Sequence, residues 1–220
     1  MFGLPSQSLD ETRADVEAAL QFAPPHLSLY QLTLEPNTVF AKYPPTLPED
    51  DAVGEMQEWL EARMERAGYR HYEVSAYARP GRECRHNVNY WRFGDYLGVG
   101  AGAHSKISFP HRVVRQVRFR QPASYLDRAA RGEFLAEHVE VGRRDLPFEF
   151  MLNALRLSEG FAPSLFAERT GLPASAIEAP LERAEQRGLI ERDHIRIRPT
   201  GLGRRFLTDL QTLFLPPDRT

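Results

Sequence analysis

The sequence predicts an α/β fold built in two parts. Over residues 1–144 helical and extended stretches alternate in the rhythm of a βα-barrel. From residue 145 to 220 the order becomes three helices, a wing strand and a closing helix, which is the order of a winged-helix unit. A third observation separates the two patterns. The run from Cys84 to Ser105 gathers imidazole, carboxamide, aromatic and glycine residues just past a predicted strand end, where barrel folds place ligands.

The elements follow in order. Ser8-Leu9-Asp10-Glu11 reads as a capping box, and Val16, Ala19 and Leu20 mark the apolar face of the helix it opens, which ends before Pro24-Pro25. His26 to Leu34 alternates apolar with polar as a strand does, and Glu35-Pro36-Asn37-Thr38 breaks it. A second helix begins after Pro48 with Glu49, Asp50 and Asp51 at its positive end. It carries Val53, Met56, Leu60, Met64 and Ala67 at helical spacing and stops at Gly68. Tyr72 to Tyr77 is the next predicted strand, turned by Arg79-Pro80-Gly81. Tyr96 to Val99 is a short extended piece running into the Gly100-Ala101-Gly102 turn, Val113 to Phe119 a strand or edge hairpin, and Ser124 to Arg131 a short helix.

In the second part, helices are expected over 148–155, 164–169 and 173–187, the last halted by Gly188. Ile195 to Pro199 alternates like a wing strand, and 200–215 reads as one closing helix.

Bulk properties narrow the classes. The 220 residues are 42% hydrophobic and 26% charged, enough for one ordinary domain and a small second one. A net charge of -2 supplies no general attraction to nucleic acid or to an anionic membrane. One cysteine excludes an intramolecular disulfide framework and fits a reducing, cytoplasmic setting. No apolar stretch approaches the length of a membrane span, and Met1-Phe2-Gly3 lacks the flanks of a signal peptide.

Within the central run, Cys84-Arg85-His86-Asn87-Val88-Asn89-Tyr90-Trp91 gives the pattern HNxxYW, and Tyr96-Leu97-Gly98-Val99-Gly100-Ala101-Gly102-Ala103-His104-Ser105 gives YLGVGAGAHS. Together they resemble the HemW-type heme chaperone family, radical S-adenosylmethionine (SAM) proteins related to the oxygen-independent coproporphyrinogen III oxidases. The resemblance covers nearly the whole chain but only the later part of that family's proteins. It implies the latter part of an incomplete (βα) radical-SAM-type barrel followed by a winged-helix-like helical domain. It also implies heme as cargo, with SAM and a [4Fe–4S] cluster in the complete protein. Such a cluster is held by three closely spaced thiolates, and Cys84 alone cannot build it, so this chain by itself is expected to perform no radical chemistry. The opening Met1-Phe2-Gly3-Leu4-Pro5 reads as the end of an interior strand and its turn, hence the expectation of a C-terminal portion of a longer protein.

The resemblance implies that His86 binds heme. Neutral imidazole is a good axial ligand for heme iron, and Tyr90 and Trp91 offer surfaces for a porphyrin face or edge; the plain alternative is a histidine that hydrogen-bonds a loop. Asn87 and Asn89 suit loop amides. Trp91 and Phe93 are equally core residues by type, and Cys84 is either a second heme ligand or an inert small hydrophobe. The glycine-spaced segment lacks the βαβ context of a dinucleotide site. It reads as a barrel-strand end approached by the adenosyl part of SAM, with Thr33 and His104 as SAM contacts by resemblance, or as a packed turn. His111, Arg112, Arg115, Arg118 and Arg120 form either a solvated strand face or a clamp for heme propionates. The candidate recognition helix sets Glu178, Glu182 and Glu185 against Arg183 and Arg187, which argues against DNA.

The reading is therefore a heme chaperone that hands heme to acceptor proteins, respiratory or membrane-associated ones among them, with no nucleic-acid partner and a homodimer left open. The alternative is an oxygen-independent coproporphyrinogen III oxidase.

Overall fold

The computed structural model describes residues 1–216, which form an α/β chain of two compact units, the first Met1–Cys84 and the second from Arg85 onward. In the first unit, α1 (Leu9–Gln21) opens on the predicted capping box: Ser8 accepts from the Glu11 amide while Glu11 reaches back to the Ser8 backbone. β1 (His26–Ser28) follows, then the single turn α2 (Val39–Lys42) and the long α3 (Asp50–Arg66). Met56, Leu60 and Met64 are buried on one stripe of α3, and with Val16 of α1, Phe2, Tyr69 and Tyr77 they make this unit's core. Glu17 and Arg63 tie α1 to α3 through a two-point ion pair.

The strand expected over 72–77 is instead a hairpin of β2 (Arg70–Glu73) and β3 (Ala76–Ala78), turned at Val74-Ser75, and the strand expected over 26–34 is regular only in β1. The sheet is open, of order β1-β3-β2, with both pairings antiparallel; a parallel contact occurs at the Phe2–Gln31 bridge. Two linking residues leave β2 and β3 no alternative to antiparallel pairing, since a parallel pair needs a crossover of a dozen or more residues. No closed barrel forms among the described residues.

The second unit begins with α4 (Arg85–Trp91), so the HNxxYW run is a helix. β4 (His104–Phe109) and β5 (Arg112–Arg118) form a hairpin that pairs onward with β6 (Leu135–Val141), α5 (Pro122–Ala129) lying between the last two in sequence. The expected strand at 96–99 reduces to one bridge, Tyr96 with Lys106. Then come α6 (Leu146–Ala154), α7 (Pro163–Thr170), α8 (Ser175–Gln186), the hairpin β7 (Ile190–Arg192) and β8 (Ile197–Pro199), and α9 (Gly201–Arg205) and α10 (Leu207–Thr212). The closing helix is thus two helices, because Phe206 between them leaves helical geometry at φ -108°, ψ 43°.

One core serves this whole unit. Phe150 of α6 is fully buried and meets Phe93, Phe161 and Phe166 edge-to-face, at centroid distances of 5.7, 5.2 and 5.3 Å. Val113 of β5, Ile177 and Leu181 of α8 and Leu210 of α10 complete the cluster. The boundary expected after residue 144 lies inside this unit, whose core joins Phe93 and Val113 to the helices beyond it.

Candidate functional site

The end of α4 shapes the site. Gly94 N–H donates to the Asn89 carbonyl at 2.7 Å and Phe93 N–H to that of Tyr90 at 2.9 Å, the paired bonds of a Schellman cap, with Phe93 in the left-handed position at φ 54°. That position normally takes glycine, so a buried phenylalanine there carries backbone strain offset by its burial. Asn89 Nδ2 also donates to the Asp95 carbonyl, a turn-holding role.

Lys106 secures the same corner. Its side chain is 2% exposed, and its ammonium donates to the Phe93 carbonyl at 2.9 Å, Asp95 Oδ1 at 2.9 Å and Ser108 Oγ at 3.0 Å. It also lies 4.0 Å above the Phe93 ring. Burial pushes its pKa down, against the upward pull of Asp95. For Asp95 burial acts upward, but the Ser108 amide, the Lys106 ammonium and the Ser108 hydroxyl together outweigh it and hold the carboxyl below the ordinary aspartate range.

Above this floor lies an open cavity of about 400 Å³. Tyr90 and Trp91 of α4, Tyr96 after it, His104 and Lys106 of β4, Arg115 of β5 and Asn153 of α6 line it. Tyr90 and Tyr96 meet edge-to-face at 4.7 Å, and the Arg156 guanidinium lies 4.3 Å over the Trp91 ring. The Trp91 indole N–H is buried with no hydrogen-bond partner. Arg115 joins Glu149 of α6 through Nε and Nη2 and reaches the Tyr96 hydroxyl from Nη1 at 3.4 Å. Aromatic walls with a few convergent polar groups are the make-up of a small-molecule pocket.

Of the residues expected at a site, Tyr90, Trp91 and His104 come together around this cavity. His86, exposed on the first turn of α4, does not line it but meets Tyr90 edge-to-face at 5.9 Å, one turn along the same stripe. Thr33 belongs to the first unit, where its hydroxyl donates to Glu35. Cys84 closes that unit, its amide donating to the Tyr72 hydroxyl, which also bonds His26.

The basic stretch disperses. Arg112 faces Glu140, Arg118 is buried against Gln116 and the Phe134 ring, His111 and Arg120 are exposed, and of these five Arg115 lines the cavity. The sequence reading assigned nothing to Asp95, Lys106, Glu149 or Asn153. Their meeting depends on the β4–β5 register and on Glu149 of α6 reaching Arg115 of β5, neither of which local spacing encodes.

Comparison with known proteins now bears on these features. Residues 141–206 match the HemN C-terminal domain family. The chain is 44% identical over 216 residues to a Haemophilus influenzae protein named heme chaperone HemW, covering 98% of this chain and 55% of that one. It is 44% identical over 218 residues to the Escherichia coli heme chaperone HemW, covering 98% and 56%. In sequence the chain is similar to the HemW-named proteins along 98% of its length. A third HemW, from Mycobacterium tuberculosis, is 34% identical over 213 residues, with 93% of this chain and 51% of that protein covered. The chain spans about half the length of the curated HemW relatives it matches. Among solved structures, coproporphyrinogen III oxidase (HemN) from Escherichia coli, described as a radical SAM enzyme, aligns with a TM-score of 0.73. At 17% identity over 97% of this chain and 53% of that one, the likeness is one of fold. The HemW-type match agrees with the resemblance carried by HNxxYW and YLGVGAGAHS.

Proposed function

We propose that this chain is the heme-binding part of a heme chaperone, and that the whole protein binds heme and passes it to acceptor proteins. The observation that carries this is the 44% identity to HemW-named chaperones along 98% of the chain, which includes the HNxxYW helix. Tyr90 and Trp91 of that helix face a cavity large enough for part of a porphyrin, and His86 stands one turn back with an exposed imidazole suited to an iron ligand. In this reading the aromatic residues pack against the macrocycle while His86 supplies the axial bond. Thr33 and His104 are proposed as SAM contacts in the whole protein.

The cluster is a different matter. One cysteine cannot provide three thiolates, and among the described residues no group of three or more histidine, cysteine or acidic side chains is placed to hold a metal ion. A three-thiolate [4Fe–4S] site needs more cysteines than this chain carries, and SAM and such a cluster are proposed for the whole protein.

We further propose that residues 1–144 correspond to the latter part of a radical-SAM-type barrel and residues 145–220 to a winged-helix-like domain. The fold likeness to HemN and the order α6, α7, α8, β7–β8 hairpin support this. The hairpin argues for a docking or covering role over phosphate binding, because Arg192 is held by Glu178 and Glu185, Arg196 by Glu159 and Arg198 by Glu191. No helix of the described residues is long and apolar enough to cross a membrane, and cytoplasmic placement is part of the proposal.

The test is spectroscopic. Heme is titrated into the wild type and His86→Ala while the Soret band and iron spin state are followed, with Cys84→Ala and His104→Ala alongside. Loss of the axial-histidine spectrum in His86→Ala alone is the expected result. Wild-type spectra in that variant, with the loss confined to either control, assign the iron ligand elsewhere.

A further inference from the structure

We propose that Arg115 is the carboxylate anchor of this cavity, taking a propionate of the bound porphyrin in exchange for Glu149. The inference rests on the heme reading above and adds which side chain recognises the ligand's acidic edge. Two cations line the cavity, Lys106 and Arg115, and they differ in what they have left to give. An ammonium has three protons, and those of Lys106 are committed to Phe93 O, Asp95 Oδ1 and Ser108 Oγ. A guanidinium has five. Arg115 turns Nε and Nη2 onto a single oxygen, Glu149 Oε2, and its Nη1 bond to Tyr96 is long at 3.4 Å. Among the described residues no other acceptor lies within hydrogen-bond distance of it, which leaves donors for a planar, two-oxygen ligand.

Exposure agrees. The Arg115 side chain is 35% exposed and that of Glu149 26%, so the pair sits at the cavity wall, where an incoming carboxylate can compete for it. The neighbouring walls, Tyr90, Trp91 and Tyr96, are aromatic. Together they fit a flat apolar ring system carrying a carboxylate at its edge. The other basic residues of the stretch do not line the cavity.

The experiment compares ferric heme with heme dimethyl ester, in which both propionates are esterified, in the wild type, Arg115→Met and Glu149→Gln. Charge-assisted bonds of this kind correspond to a preference of about 10- to 100-fold. The wild type is expected to bind free-acid heme more tightly than the ester by that order, Arg115→Met to lose the preference, and Glu149→Gln, which keeps an acceptor but removes the competing charge, to enlarge it. If Arg115→Met fails to fold, Glu149→Gln decides: a larger preference supports the exchange, and an unchanged one overturns it. Equal binding of heme and ester in the wild type overturns the Arg115 assignment while leaving heme binding intact. Binding of neither porphyrin removes the heme reading and this inference together.

Discussion

At the end of α4 a phenylalanine takes the left-handed position that helices usually give to glycine, and a buried lysine holds its carbonyl. Sequence pattern reads neither residue this way: Phe93 carries no stop signal, and a lysine in a strand is ordinarily a surface residue. Tyr90, Trp91 and His104 stand out in the sequence by type and motif, and the fold brings them to one cavity, whereas Lys106 becomes meaningful only when Asp95 arrives from the preceding loop. Lys106→Met keeps the apolar stem but strands the Phe93 carbonyl and Asp95. Because Asp95 is 43% exposed and can rehydrate, urea denaturation should show a loss of about 2–3 kcal/mol, at the low end for a broken buried pair. The pH dependence has a definite sign. Asp95 is held below the ordinary aspartate range, so the unfolded chain takes up its proton first as pH falls. Its contribution is complete above about pH 4 and is lost as pH drops through the lower folded value. Wild-type urea midpoints should fall more steeply than those of Asp95→Asn in that range; parallel curves would show that Asp95 has no such linkage.

Helices were the legible elements, because caps and apolar spacing are local. Ser8 and Glu11 form their reciprocal cap, and Met56, Leu60 and Met64 bury the stripe expected of them. Strands were not, and the misses have causes. β6 is exposed along most of its length, so Leu135 to Val141 shows no clean buried face, and β4 places a charged Lys106 at an inward position. The helix that holds the HNxxYW run is too short, at seven residues, to announce itself by periodicity. One loop connects these elements to the cavity. Gly98 lies directly against the His104 backbone, so a β-carbon there would overlap the His104 carbonyl, which as main chain in β4 cannot swing aside. Gly98→Ala should therefore destabilise the unit by about 1–3 kcal/mol and weaken porphyrin binding. Unchanged stability by chemical denaturation would mean that the loop moves at no cost.

Across the whole molecule each unit carries its own apolar cluster, and the rhythm of the sequence separated helices from strands better than it assigned them to cores. Phe93 and Val113 lie far from α6 in sequence yet share its core, a long-range packing that spacing cannot reveal. Phe150→Ala removes the ring that three other phenylalanines contact, at a cost of about 3–5 kcal/mol. Hydrogen exchange should then quicken across α6, α7 and α8 together; a change confined to α6 would contradict a shared core. The chain's two tryptophans divide in the same way, Trp59 on α3 of the first unit beneath the Arg13 guanidinium, and Trp91 on α4 of the second beneath Arg156. Each unit thus has its own intrinsic fluorophore. In Trp59→Phe the remaining tryptophan emission comes from the cavity wall itself, so a visible-absorbing guest would darken it on arrival and restore it on release, giving a label-free clock for cargo transfer.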